Sequence, residues 1–437
     1  MNETKKTILG LAVISILISG IMFYPQPALA VAVAFSDGST SAGISTNCAS
    51  RTTVGTLTAT GLGAGTNIVI ATVDFVSSDA GVESVVQGTT SNGLYRDSTQ
   101  VVGTQYTMYV GTSAQGTHYT YLLEDTGASA NEVYTVETCV SATASTAEAK
   151  ILAFQGLESS FTDSGNVATS AGSFVTIATL TTDLTANNHI IIASVQIDCD
   201  GASTVSAGNI ELRDSADTMI AENEYHLICG SASANDGMQI TLIATQPSAS
   251  ANTSYKVAVF ETTSGLAGAE AKILALKAVN DEYYFTDSGS TGVADAQTSI
   301  NSVATSFSNS EQIVVIDAMQ FDDTDNGVET IDASTGHEIN DGATLAGNQI
   351  SYSGLGASGS AGEGLRNSLV YSATLSSANP TFTSYANAGA TGLNAESKIL
   401  AFSLVDGVSD PNSAMQQNNM WIFAVLNLKE NLIDFDA

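Results

Sequence analysis

"AEAKILAF" at residues 147–154, "AEAKILAL" at 269–276 and "AESKILAF" at 395–402 spell one eight-residue segment three times, at intervals of 122 and 126 residues. Apolar and small residues alternating over so short a run are strand chemistry. Alternation places Ala149, Ile151 and Ala153 on one face and Glu148, Lys150, Leu152 and Phe154 on the other. A second marker keeps step with the first: "FSDG" begins at Phe35, and "FTDSG" begins at Phe161 and again at Phe285. Each octapeptide therefore closes a unit and leads within a few residues into the start of the next.

Between the markers each unit carries one long apolar run, "NIVIATVDF" from Asn67, "HIIIASVQI" from His189 and "QIVVIDAMQF" from Gln312, followed by a polar, acidic stretch. A period near 125 residues is too long for solenoid repeats of roughly 20 to 50 residues and fits whole domains. The segments are rich in Val, Ile, Thr and Tyr and are separated by Gly, Ser, Asn and Asp, with no long helical periodicity. The expectation is an all-β chain of three tandem jelly-roll or immunoglobulin-like β-sandwiches, at 31–157, 158–279 and 280–407. The run "IIIAS", apolar on both faces, reads as a strand in the middle of a sandwich.

Before the first unit, "MNETKKTILGLAVISILISGIMFYPQPALA" has the layout of a secretory signal peptide cleaved after Ala30. Its apolar run from Ile8 to Phe23 spans only about 24 Å as a helix, short for a membrane crossing. No later stretch is long enough to cross, so no membrane span is expected after cleavage. Export makes the cysteines readable as two disulfides. Cys48 and Cys139 fall in the first unit, Cys199 and Cys229 in the second, and pairing within each unit is the simplest of the three arrangements.

Charge excludes one class of partner. The formal net charge is -32, yet only 13% of residues are charged, so the imbalance reflects scarce Lys and Arg, 12 in all. A basic stripe for nucleic acid cannot be assembled. A surface of one sign repels its own copies, so self-association should depend on salt or divalent cations.

Catalytic signatures are sparse. The four histidines, His118, His189, His226 and His337, fall at unrelated places in the repeat and read as satisfied surface or strand residues. "GLGASG" at 354–359 matches G-x-G-x-x-G formally but lies in a Gly/Ser-rich stretch with no helix after it. The acidic stretches after the central runs, with Asp74 and Asp79, Asp198 and Asp200, and Asp322, Asp323 and Asp325 in "FDDTDNG", offer hard oxygen ligands of the kind calcium takes. Solvated turns that keep a sheet edge from pairing account for the same residues. Glu148 with Lys150, Glu270 with Lys272 and Glu396 with Lys398 read as exposed ion pairs at the strand's entry, against a self-formed isopeptide cross-link as the sharper alternative. Asn252-Thr253-Ser254 is the one glycosylation sequon of the expected mature chain.

The C-terminal part, 408–437, is a polar linker followed by "MWIFAVLNLKENLIDFDA". Trp421, Ile422, Phe423, Val425, Leu426 and Leu428 are apolar on both alternating faces, as an extra or donated strand would be. A short helix is the competing reading, since Trp421, Val425, Leu428, Leu432 and Phe435 form one stripe. Such a segment must be buried in its own unit, in a neighbouring copy by strand addition, or on another surface component.

With the leader, the threefold A-E-[AS]-K-I-L-A and the Thr/Ser/Gly/Asp-rich strands in view, residues 31 to about 407 resemble secreted tandem β-sandwich surface and filament proteins of archaea, and more distantly phage appendage domains. That resemblance implies a structural or adhesive role and no catalytic residue. The function expected is that of a non-enzymatic extracellular structural protein whose partners are its own copies or other surface components. An adhesin or carbohydrate binder using Tyr95, Tyr119 and Tyr121, and a secreted hydrolase, are the alternatives.

Overall fold

A computed structural model describes the chain from residue 32 to 404 apart from short loop segments, the longest being 229–236 and 356–363. The leader and the tail segment Trp421–Leu428 lie outside the described residues. The chain is all-β, and among the described residues no helix is long and apolar enough to cross a membrane.

Each repeat folds into two stacked antiparallel sheets. The inner sheet is ordered opening, closing, central, edge. The opening strands are Val33–Asp37, Ser159–Asp163 and Tyr283–Asp287; the closing strands, which carry the octapeptide, are Ser145–Phe154, Leu266–Lys277 and Leu393–Ser403. The central strands are Gly65–Ser77, Asn187–Cys199 and Gln312–Asp323; the edge strands are Gly116–Ala128, Gly237–Ala249 and Gly364–Thr374. The outer sheet of the first repeat runs Thr52–Thr58, Val133–Thr138, Gly93–Arg96, Thr99–Gly103, and the other two repeats follow the same order. Counting the eight main strands of a repeat along the chain, the sheets read 1-8-3-6 and 2-7-4-5. That is jelly-roll connectivity, in which successive strands lie in opposite sheets except for the hairpin of strands 4 and 5. The octapeptide is the last strand of each repeat and lies inside its sheet, between opening and central strands, so the chain ends next to where it began.

The same turn chemistry recurs. Asn131, Asn252 and Asn379 each hold a left-handed backbone, φ 53–56°, in the turn after the edge strand. Their N–H groups bond the carbonyls of Leu62, Leu184 and Phe307 at 2.8–3.1 Å. Asn tolerates this conformation because its short polar side chain offsets the steric cost.

The two faces of the closing strand are divided as alternation requires. Ala149, Ile151 and Ala153 enter the first sandwich core with Leu57, Val73, Phe75, Tyr121 and Tyr134, while Leu152 and Phe154 point the other way. Both faces are buried. Ile68, Ile70, Leu122, Leu152 and Phe154 of repeat one meet Ile190, Ile192, Ile243, Leu274 and Leu276 of repeat two, and Val314, Ile316, Val370, Leu400 and Phe402 of repeat three. The inner sheets thus press their second faces into one shared apolar core, and Val31–Leu404 forms a single compact unit. The run "IIIAS" is apolar twice over for this reason: Ile191 and Ala193, with Val195 just after it, fill a sandwich, while Ile190 and Ile192 fill the space between sandwiches.

Cys48 and Cys139 form a disulfide within the first repeat. Cys199 ends the second central strand, and Cys229 lies outside the described residues.

Burial between repeats sets an expectation for unfolding. Ile192 is fully buried in the shared core, so Ile192→Ala should cost about 2 to 5 kcal/mol. Calorimetry should show one transition shifted as a whole; three separate transitions, with only one displaced, would mean that the repeats are independent.

Candidate functional site

Register identifies corresponding positions across the repeats. Thr72, Ser194 and Ala318 on the central strands face Thr120, Thr241 and Ser368 on the edge strands; one step along, Asp74, Gln196 and Gln320 face His118, Gln239 and Arg366. The hydroxyls of Thr120, Thr241 and Ser368 meet, with Thr241 Oγ1 donating to Thr120 Oγ1 at 2.8 Å, Thr120 Oγ1 2.6 Å from Ser368 Oγ, and Thr241 Oγ1 3.3 Å from it. Three equivalent atoms in mutual contact define an approximate threefold axis. Beside the apolar shared core, this axis has a polar section.

An edge strand carries backbone groups with no strand partner, an invitation to aggregation unless covered. The polar section serves some of them. Gln239 of repeat two donates its amide to the Thr120 carbonyl at 2.6 Å and accepts the Thr120 N–H, so one side chain imitates a strand partner for repeat one. His118 of repeat one accepts the Ser368 N–H of repeat three at Nε2, 3.2 Å. Arg366 of repeat three donates Nε to Asn223 of repeat two at 2.8 Å. One equivalent position from each repeat therefore reaches the next, and the contacts close a ring.

Asp74 lies in a strand rather than in an acidic loop and is almost wholly buried, its Oδ1 2.7 Å from His118 Nδ1. His118 Nε2 lies 2.8 Å from Ser368 Oγ. Serine, histidine and aspartate in series are the constellation of acyl-transfer hydrolases, brought together from residues 74, 118 and 368 in a way that sequence spacing could not reveal. Here the series is structural. Ser368 is fully buried and His118 is 3% exposed, so no substrate reaches the hydroxyl. The series continues inward: Asn367 Nδ2 donates to Asp74 Oδ1 at 3.0 Å, Asn367 Oδ1 meets His337 Nδ1 at 3.0 Å, His337 Nε2 meets Asp317 at 2.9 Å, and Ser397 donates to Asp317 at 2.7 Å. His189 is satisfied by Tyr255 Oη and the Thr185 carbonyl. These three histidines are buried strand residues rather than surface ones; the side chain of His226 lies outside the description.

The octapeptide's charges overturn the exposed-pair expectation. Lys150 is 1% exposed and its ammonium contacts both Glu148 and, at 3.1 Å, Asp37 of the opening strand. Lys272 contacts Glu270 and Asp163, and Lys398 contacts Glu396 and Asp287, in the same register. One cation between two carboxylates staples the first strand of each repeat to the last. Burial opposes the ammonium at Lys150, but Glu148 and Asp37 outweigh it and raise the pKa above the ordinary lysine value; at Lys398 Glu396 and Asp287 do the same. A lysine held as ammonium is a poor nucleophile, so the arrangement is an ion-pair staple and not an isopeptide precursor.

Of the calcium candidates, Asp322 accepts from Gln320 Nε2 at 2.5 Å and pairs with Arg366 Nη1 at 3.0 Å. Asp198 is buried in its strand. The side chain of Asp323, and Asp79, Asp200 and Asp325 entirely, lie outside the described residues, as does most of "GLGASG". Among the described residues no group of three His, Cys, Asp or Glu side chains is placed to hold a metal ion. Tyr95, Tyr119 and Tyr121 are at most 1% exposed, Tyr119 and Tyr121 within the first sandwich core and Tyr95 beneath the Arg51 guanidinium, 4.3 Å from its ring centroid, so they form no binding platform. Desolvation pushes the Tyr95 hydroxyl up to about 12.

No protein-family model matches the chain, and no curated protein matches it. Solved structures to which it is similar include one of Sulfolobus turreted icosahedral virus, at 11% identity over 85% of this chain and 91% of that one, TM-score 0.18. A structure of the triple jelly roll fold and turret assembly in an archaeal virus is 10% identical over 85% of this chain and 90% of that one, TM-score 0.18. PNGase F, a glycosylasparaginase from Flavobacterium meningosepticum, is 11% identical over 57% and 96%, TM-score 0.28. Likenesses this remote concern layered β-sheets and transfer neither activity nor assembly.

The staple makes a sharp energetic expectation. Lys150→Met strands the buried Glu148 charge and should destabilise by about 3 to 5 kcal/mol, whereas Lys150→Met with Glu148→Leu should recover most of that loss. Chemical denaturation of the two variants measures it; equal losses would show that the pair itself, not the orphaned charge, carries the effect.

Proposed function

We propose that the chain is a secreted, non-enzymatic structural subunit of an extracellular surface assembly, its building block being the fused triple jelly roll. One observation carries this reading: the polar side chains that could do chemistry, Asp74, His118, Ser368, Asp317 and His337, are buried and bonded to one another across and within the repeats. Their hydrogen-bonding capacity is consumed in holding sheets together. A triplicated body whose edge strands are partly served at the axis resists indiscriminate strand pairing there, as a subunit of an ordered layer or filament needs.

The leader supports export, and the disulfide in the first repeat fits an oxidising compartment. The apolar segment Trp421–Leu428 has no counterpart after repeats one and two, which supports its use as a connector donated to a neighbouring copy. A head-to-tail contact between unlike surfaces propagates when it does not close. The excess of acidic over basic residues makes association sensitive to salt and divalent cations.

Negative-stain microscopy of the purified protein, with calcium and with chelator, tests the reading. Ordered polymers are expected, and deletion of 420–437 should leave dispersed particles. Monomers under every condition, or polymers untouched by the deletion, would sink the proposed assembly.

A further inference from the structure

The three repeats solve the same local problem in three ways where the chain passes from one sandwich to the next. Equivalence is fixed by backbone bonds: Lys277 N–H donates to the Glu158 carbonyl, and Ser403 N–H donates to the Glu282 carbonyl. Lys277 and Ser403 also occupy matching register positions, opposite His189 and Ile313. In repeat two the Glu158 carboxylate is fully served. It receives the Lys277 ammonium at 2.9 Å, and the Thr185 hydroxyl at 2.8 Å and N–H at 3.1 Å. These partners lower its pKa to about 2. In repeat one, where Ala32 stands in the glutamate's place, Gln155 accepts the Gly63 N–H at 2.9 Å and donates to its carbonyl at 2.8 Å. Both arrangements are electrically balanced.

Repeat three is not balanced. Ser403 replaces the lysine, so no ammonium is present, and a second carboxylate, Glu311, has been added. Glu311 takes the N–H of Ser308, the counterpart of Thr185, at 2.7 Å through Oε2. The Glu311 carboxyl neighbours that of Glu282. Glu282 Oε2 and Glu311 Oε1 are both buried and accept no hydrogen bond from any described residue; so is the side-chain oxygen of the adjoining Gln312. Glu311 as a whole is only 8% exposed. Two neighbouring carboxylates, each with an oxygen out of water that no donor or ammonium among the described residues reaches, call for a positive charge.

We propose that Glu282 and Glu311 hold a divalent cation of the calcium class, which takes the place that the Lys277 ammonium fills in repeat two. The donors are hard oxygens, the set calcium prefers, and Gln312 and water can complete a coordination shell of roughly six to eight oxygens. Glu311 is fixed by its bond to Ser308, so the site is partly organised before the ion arrives. The competing occupant is a proton. Burial and the neighbouring Glu311 push the Glu282 carboxyl up to about 7, so in the absence of metal the pair retains a shared proton at mildly acidic pH. Metal and proton therefore compete, and affinity rises as pH increases through neutrality. This site is separate from Asp322, Asp323 and Asp325, and it does not depend on whether the chain assembles.

The test is calcium titration of the metal-stripped full-length protein at pH 8, by calorimetry and by thermal melting in calcium chloride against EDTA. Glu311→Gln keeps the bond to Ser308 but removes a charge, and should weaken binding at this site by roughly tenfold or more. Ser403→Lys rebuilds the solution used in repeat two; it should lose the same equivalent of calcium and melt in EDTA at least as high as the parent does in calcium. Glu282→Gln, in a less buried position, provides a third variant should Glu311→Gln fold poorly. The proposal is overturned if the parent shows no calcium response, if Glu311→Gln and Ser403→Lys retain the full calcium stoichiometry, or if only pH and not calcium moves the melting temperature.

Discussion

The constraint on which the structure depends is that each inner sheet is apolar on both faces. A sandwich buries one of them. The other, formed in repeat two by Ile190, Ile192, Leu274 and Leu276, would face water in an isolated repeat, at about 25 cal/mol per Å² of exposed apolar surface. The shared core removes that surface by turning the three sheets toward one another, which is why three jelly rolls make one body instead of three beads on a string. Once apolar faces have chosen the arrangement, edge strands are brought close together, and their unpaired backbone groups must be served. His118 and Gln239 answer that second requirement, while Arg366 reaches the Asn223 side chain of repeat two.

The closing strand transmits both. Its one face, Ala149, Ile151 and Ala153, belongs to the sandwich, and its other face, Leu152 and Phe154, belongs to the common core. Glu148 and Lys150 share the second face, where the strand leaves the apolar section for the polar one, and Lys150 binds the opening strand through Asp37. Repetition of the octapeptide thus reflects three separate duties imposed on the same eight residues. A surface strand would tolerate drift at the positions facing water, but in repeats one and two the octapeptide has none.

Much of the architecture is legible in the sequence because it is local and repeated. Marker spacing, strand-sized apolar runs and turn residues give three β-sandwiches and place the octapeptide last in each. Jelly-roll connectivity is not legible, since the order 1-8-3-6 sets the last strand of a repeat beside the first, from far along the chain. The double apolarity of "IIIAS" is visible, but a single repeat offers no way to tell a sandwich centre from an interface between sandwiches. Lys150 misleads for a physical reason. Charged residues are seldom buried unless paired, and its second partner, Asp37, lies more than a hundred residues away in the opening marker. The pairing of Asp74, His118 and Ser368 has no sequence signal, because it crosses from the first repeat to the third.

Fusion of the repeats into one chain explains why the axis is polar and irregular when its apolar section is nearly symmetric. Three separate identical chains would place the same residue at every symmetry-related position. A histidine that caps an edge strand in one interface would then have to do so in all three. In a single chain the local concentration of each repeat near the others is set by short linkers, so no interface has to be strong enough to assemble alone, and each can specialise. The divergence is concentrated where symmetry would be costly. At the axis itself, His118, Gln239 and Arg366 differ in charge and reach, and identical cations or identical carboxylates there would repel. At the junctions, Gln155, Lys277 and Ser403 differ in the same way. The apolar positions have no such conflict, since isoleucine or leucine meeting its own kind is favourable, and they have stayed alike.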